Sequence, residues 1–353
     1  MSEYRLGPEA YLDDAWFRRE QREVVGRTWT LVAWVDELVE AGDYVTASIG
    51  DAPIVVVRDQ SGLVRAFHNL CRHRGMVMLE GTGNTAPDVN CPYHHWRYAL
   101  DGALRVVPQR KEQFPDLDVA CWGLLPASVD EWEGMVFVHP DPDAPSLASH
   151  LGQIPGATGS FRPSLLEPIG HEVLEARCNW KLFVENHIDV YHLWYLHEQT
   201  LGDLDHTKFE HRTLDGHWVS YEPLRGDTFR DARLSARTAT ISHLDERDRA
   251  GVGAHLLFPN QMFATSEEFF ATYRAVPVAA DRCLIDLRVR AEPGADADGI
   301  MKSVRSFIDE DISACEAVQV GTRSPYFSVG PLARTHEHPI TLFQDHLLAV
   351  LDG

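Results

Sequence analysis

Between Asn179 and His197 the chain reads NWKLFVENHIDVYHLWYLH, which sets Glu185, Asn186, Asp189, His192 and His197 in one apolar, aromatic-rich stretch. Left buried without a partner, each polar group would cost roughly 1–3 kcal/mol, so an ordinary core helix is a poor use of this segment. At about 100° per residue, Asp189 and His192 lie about 60° apart on one helix face, with Glu185 near the same stripe. His197 would lie about 140° round from His192, so a shared ion requires the helix to bulge or end between Leu193 and Leu196. Two readings follow: a core helix whose histidines bond backbone carbonyls, or two imidazole metal ligands that lack a carboxylate. Downstream, a helix is expected over Ala295–Gln319, with Val304, Phe307, Ile308, Cys315 and Val318 as its apolar stripe. Asp311 falls inside that stripe, whereas Asp309 and Glu310 lie outside it and are expected to be solvated. A buried carboxylate needs a cation or donors. An arginine would serve, and so would a metal: His192, His197 and Asp311 then form the two-histidine, one-carboxylate set that suits Fe(II), with Asp309 in reserve.

A second group lies earlier. Cys71-Arg72-His73-Arg74-Gly75 and Cys91-Pro92-Tyr93-His94 spell Cys-x-His, 17 intervening residues, then Cys-x2-His. Each pair is short enough for both side chains to converge from one loop, and Gly75 and Pro92 shape those loops. Two thiolates and two imidazoles can hold zinc or a [2Fe–2S] cluster of the Rieske kind. Zinc fingers group two cysteines on one knuckle and two histidines on a helix. Here each loop supplies one of each, which fits a cluster whose two irons are held separately by sulfur and by nitrogen.

The segments AFHNLCRHRG, CPYHHWRYALDG, WEGMVFVHPDPDAP, NWKLFVEN, DVYHLWYLH, HLLFPN and EDISACEAVQVGTRSPYFSVG resemble the α (catalytic) subunits of Rieske-type non-haem iron oxygenases. That family includes ring-hydroxylating dioxygenases and choline and betaine monooxygenases, and the resemblance runs over nearly the full length. One departure is His95, where the family usually has Gly. The resemblance implies an N-terminal all-β Rieske domain and a C-terminal antiparallel-sheet domain of helix-grip (START-like) form. It implies a [2Fe–2S] cluster on Cys71, His73, Cys91 and His94, and mononuclear Fe(II) on His192, His197 and Asp311. The family's iron-binding aspartate stands five residues before a Glu of Glu-x-x-Gln type, here Glu316. Asp189, three residues before His192, matches the catalytic acidic residue that links the two centres, His94 of one chain bonding Asp189 of the next. A ring-shaped oligomer, most simply a homotrimer, follows.

The activity implied is hydroxylation of a small organic, aromatic substrate with O2, as in aromatic hydrocarbon catabolism. Electrons would come from NAD(P)H through a separate flavin and iron–sulfur reductase or a ferredoxin, because the chain has no strand-linked G-x-G-x-x-G of its own. An alternative is monooxygenation of a methylated amine or betaine with loss of a methyl group. From another class come an electron carrier without oxygenase activity and a protein with structural zinc at both sites. Trp194, Tyr195, Phe258, Phe263, Phe269 and Phe270 are candidates for an aromatic cage around a cationic substrate, and equally for plain core.

Composition narrows the frame. The 353 residues suggest about two domains. A hydrophobic content of 44% with 24% charged residues is that of a soluble globular protein. The net charge of -21 argues against nucleic acid or an anionic membrane as partner. Met1–Glu20 is charged and lacks the apolar core of a signal peptide, and no run is long enough to cross a bilayer, so a cytoplasmic location is expected. Cys121, Cys178, Cys283 and Cys315 are read as buried thiols rather than a disulfide framework.

The elements that must position these residues follow from patterning. One amphipathic helix is expected over Tyr11–Trp34, in a lead-in of residues 1–37. An all-β domain over 38–145 follows, with strands at Tyr44–Ile49, Ile54–Arg58, Leu63–Asn69 and Trp132–Val138 and a hairpin about Asp101-Gly102. The second domain, 146–353, is α+β. It opens with the Asn179–His197 helix and runs through a polar, irregular stretch to about Ala250. Strands at Ala254–Phe258, Phe269–Pro277 and Arg282–Ala291 and a closing helix at Leu342–Leu351 complete it.

Overall fold

In the computed structural model, which describes residues 4–226 and 239–353, the chain divides into two units. One is Gln21–His150; the other joins Met1–Glu20 to Leu151–Gly353. Residues 227–238, part of the stretch expected to be irregular, lie outside the described residues, as do residues 1–3.

Short β-rich runs punctuated by Gly turns give the first unit its strands. They are β1 (Thr30–Trp34), β2 (Asp43–Ile49), β3 (Ala52–Arg58), β4 (Val64–His68), β5 (Thr82–Asn84), β6 (Asp88–Asn90), β7 (Arg97–Ala99), β8 (Leu104–Val106), β9 (Pro126–Trp132) and β10 (Met135–His139). Seven form one antiparallel sheet in the order β1-β10-β9-β4-β3-β2-β5, and β6-β7-β8 form a small second sheet. Val55, Val57, Phe67, Val89, Trp96, Tyr98 and Leu104 build one core, in which Cys71 and Cys91 also sit. The run expected as a single strand at Trp132–Val138 is a hairpin, because Glu133 and Gly134 both take positive φ (50° and 78°) and turn the chain back.

The lead-in helix expected over Tyr11–Trp34 is broken. Short helices cover Glu9–Leu12 and Asp14–Glu23, and Thr30–Trp34 instead pairs with β10 as a fully buried strand. Asp13 separates the helices by accepting from the backbone N–H of Ala15 and Trp16. The apolar run Thr30–Trp34 carries no polar face, which suits a buried strand better than a surface helix.

The second unit is a seven-stranded antiparallel sheet. Its strands are β11 (Glu167–Ala176), β12 (Glu210–Leu214), β13 (His217–Pro223), β14 (Gly251–Leu257), β15 (Gln261–Thr265), β16 (Phe269–Ala279) and β17 (Arg282–Ala291), in the order β11-β17-β16-β15-β14-β13-β12. Patterning missed β11, β12 and β13, and also the short buried strand β15. Helices Trp180–Ile188, Ala297–Thr322 and His338–Asp352 complete the unit. Asn179 ties three of these parts together. Its side chain caps Lys181 N–H and donates to Ala280 O, and its own N–H donates to Gln319 Oε1 on the long helix.

Polar groups buried behind the Trp180–Ile188 helix form a closed network. Lys181 Nζ lies 2.7 Å from Glu20 Oε1, both fully buried, and the indole N–H groups of Trp16 and Trp180 also donate to Glu20. Glu185 accepts from Tyr4, Tyr11 and Gln344 at 2.6–2.8 Å, so it fastens the N-terminal segment and faces away from the chemical stripe to which its spacing assigned it. Burial pushes the Glu185 carboxyl up despite these donors. Cys178, Cys283 and Cys315 are buried as expected, whereas Cys121 is exposed, with its thiol 3.4 Å from Asp118 Oδ2.

Candidate metal centres and substrate cavity

The two Cys/His loops of the first unit are built alike. Gly75 N–H donates to Cys71 O at 2.9 Å and His95 N–H donates to Cys91 O at 3.0 Å, closing each loop four residues after its cysteine. Both closing residues take left-handed backbone, Gly75 at φ 71° and His95 at φ 57°. That is why glycine is usual there, and His95 occupies the position at some steric cost. The loops bring the rings of His73 and His94 to a centroid distance of 4.6 Å, with Trp96 stacked on His73 at 5.0 Å. Cys71 and Cys91 are 3% and 1% exposed. Burial lifts the Cys71 thiol, opposed by the Tyr98 hydroxyl 3.3 Å from its Sγ. His73 Nδ1 is buried with no hydrogen-bond partner, and burial together with His94 pushes the pKa of that imidazole down. Two buried thiols and an orphaned imidazole nitrogen are a donor set that fits an iron–sulfur cluster.

In the second unit the helix stops at Ile188, before either histidine. Asp189 leaves it in extended conformation, and a separate 3-10 turn, Tyr191–Trp194, carries His192 and ends before His197. This break brings the two imidazoles to one side, 5.0 Å apart at their centroids. The long helix delivers Asp311 between them: Oδ1 lies 2.9 Å from His197 Nε2 and 3.5 Å from His192 Nε2. Among the described residues, one group of three metal-ligating side chains has its donor atoms within 4.8 Å of one another, and it is His192, His197 and Asp311. Burial works against charge on His192, but Asp189 and Asp311 outweigh it and carry its pKa up to about 9. The two imidazoles likewise overcome burial at Asp311 and hold that carboxyl low. Three groups that stabilise one another only by sharing protons are a site suited to a divalent cation, and the donor types fit ferrous iron.

Each of the two imidazoles has a carboxylate near its other nitrogen. His192 Nδ1 stands 3.3 Å from Asp189 Oδ2, and Asp189 Oδ1 accepts from Tyr191 N–H at 2.6 Å. Glu310, expected to be solvated, instead lies 2.7 Å from His197 Nδ1 and accepts from Thr200 Oγ1. Its longer side chain reaches back from the flank of the helix, a signal that stripe counting at Cα level does not carry. Asp309 pairs with Arg305 on the surface, and Glu316 makes a two-pronged pair with Arg177.

A cavity of about 120 Å³ opens beside His192, His197 and Asp311. Phe269 is the one residue of the six expected cage aromatics that lines it; Phe258, Phe263 and Phe270 are core, and Tyr195 is exposed. Trp218, Tyr273 and Phe307 supply the other aromatic walls. Asn186 lines the cavity, whereas Glu185 and Tyr191 do not.

Residues 164–353 match the family model described as the ring hydroxylating alpha subunit (catalytic domain), and residues 28–123 match that of the Rieske [2Fe-2S] domain. The chain belongs to the α-subunit family of Rieske-type non-haem iron oxygenases, whose members combine a Rieske [2Fe–2S] cluster with mononuclear iron. The α subunit of biphenyl 2,3-dioxygenase from Rhodococcus jostii is 35% identical over 197 residues, 53% of this chain and 42% of its own length. The oxygenase subunit of glycine betaine monooxygenase from Chromohalobacter salexigens is 26% identical over 97% of this chain and 85% of its own. A quaternary ammonium Rieske monooxygenase, solved with its substrate gamma-butyrobetaine, superposes with a TM-score of 0.81 at 26% identity, covering 99% of this chain and 96% of that one. No described helix is long and apolar enough to cross a membrane.

Proposed function

We propose that the protein is the oxygenase component of a two-centre system that hydroxylates a small organic substrate with O2, using electrons relayed from NAD(P)H by a separate reductase. The observation that carries this is the convergence of His192, His197 and Asp311 beside a partly aromatic cavity. In this reading Cys71, His73, Cys91 and His94 hold the cluster, and His192, His197 and Asp311 hold Fe(II). When bound, the cluster would supply electrons one at a time and the ferrous ion would supply the activation of dioxygen. The protein's own part is positional. Asp189 holds His192 and Glu310 holds His197, each from the ring nitrogen away from the metal side. Trp218, Phe269, Tyr273 and Phe307 exclude water and seat the substrate beside the site without ligating it.

The oligomer in this proposal is a homotrimer in the cytoplasm, with His94 of one chain hydrogen-bonded to Asp189 of the next. The net charge of -21 favours an electron donor with a basic docking face, so reduction should slow as salt rises. Relatives of both substrate classes are similar to this chain. The match along nearly the whole chain to a glycine betaine monooxygenase favours a second reading, oxygenation of a methylated amine; the aromatic dioxygenase match spans about half the chain.

The test is metal analysis with a substrate panel and a surrogate reductase, scored by product formed rather than by NADH lost. Brown protein with about three irons per chain and coupled product is expected. Colourless protein, or one kind of centre alone, overturns the proposal.

A further inference from the structure

We propose that Glu222 sets the charge preference of the substrate cavity, so that it takes a small compound bearing a cationic nitrogen and refuses a carboxylate; this rests on the oxygenase reading for the use made of the bound compound. The strand β13 alternates strictly. Trp218, Ser220 and Glu222 line the cavity, while Val219 and Tyr221 between them do not. Along that strand the cavity therefore meets an aromatic face, a hydroxyl and a carboxylate in turn. Glu222 is 5% exposed. Its Oε2 is held by His206 Nδ1 at 2.6 Å, and its Oε1 has no hydrogen-bond partner among the described residues.

The other cavity carboxylates are committed. Asp311 faces both imidazoles, and Asp189 is taken by Tyr191 N–H and His192. With a divalent ion bound, Asp189 and Asp311 would balance its charge, and Glu222, paired through Oε2 with His206, is the further carboxylate that lines the cavity. Among the described residues no Lys or Arg lines it, so an entering carboxylate finds no ammonium or guanidinium group among them. A cationic nitrogen finds a carboxylate oxygen and the ring faces of Trp218, Phe269, Tyr273 and Phe307. In a cavity shielded from water both attractions are strengthened.

The experiment uses three probes of one shape, benzylammonium, benzyl alcohol and benzoate, titrated calorimetrically into the anaerobic holoenzyme at low salt. Benzylammonium should bind about ten-fold tighter than benzyl alcohol, and benzoate more weakly than either. In Glu222→Gln the amide oxygen can still accept from His206, and the preference for the cation should vanish with affinity for the alcohol kept. Equal binding of the three, tightest binding of benzoate, no binding of benzylammonium, or a preference that survives in Glu222→Gln overturns the proposal. Should the variant fail to fold, the series on the unaltered protein decides. Iron content and oxygen uptake on the same preparation separate the two readings: loss of the mononuclear iron sinks the oxygenase assignment whatever the probes do.

Discussion

His197 is held between two carboxylates of one helix, with Nδ1 2.7 Å from Glu310 Oε2 and Nε2 2.9 Å from Asp311 Oδ1. Adjacent residues thus take the two ends of one imidazole, and only one of them can share a metal with it. Glu310→Gln should lower retention of the mononuclear iron or the turnover number by about 10–100-fold, the usual cost of losing such a partner. The visible spectrum of the cluster should be unchanged. Iron analysis beside absorbance checks this, and full retention of both properties would assign Glu310 to the surface.

Asp311→Ala should abolish turnover and mononuclear iron while sparing the cluster, because the remaining imidazoles give too few ligands. Asp189→Ala should keep both centres and slow the passage of electrons between them, read by stopped-flow reoxidation of the reduced cluster. Wild-type rates in either variant would remove the role assigned to that residue.

His95 carries a φ of 57° at the position where the matching loop has Gly75 at 71°. Relief of that strain predicts that His95→Gly raises stability by roughly 0.5–1 kcal/mol, as a higher melting temperature with cluster absorbance retained. A lower melting temperature would mean that His95 makes contacts worth more than its strain.

Glu20 and Lys181 face each other at 2.7 Å with both side chains fully buried. Glu20→Gln leaves an ammonium without its countercharge, which should cost about 3–5 kcal/mol in denaturant unfolding. The double variant Glu20→Leu, Lys181→Met should recover most of that loss. A loss below about 1 kcal/mol in the single variant would show that Lys181 is already neutral or hydrated.

How much was legible beforehand divides along physical lines. The candidate ligands were legible locally: a Cys-x-His and a Cys-x2-His loop close through one backbone hydrogen bond each, and Asp311 stood out as a charge inside an apolar stripe. Strands with strong alternation, such as Arg282–Ala291, were found at their true limits. The polar strand β11 was not, because its pairing partner lies far along the chain, Glu167 facing Ala291; β12 and β13 form a hairpin, Leu214 facing His217, and went unread. Glu185 was drawn to the chemical stripe by spacing and belongs to a buried clamp on Tyr4 and Tyr11.

The sequence alone therefore determined which side chains can bind metal and which family of folds presents them, since both depend on residue type and short spacing. Tertiary structure decided what surrounds them: that the helix breaks at Ile188, that Glu310 turns toward His197, and that Trp218 and Glu222 face one cavity. Those choices depend on contacts between separate segments, from the pairing of Trp218 with Leu256 to that of His197 with Glu310, which compete with local preference and leave no short-range pattern to read.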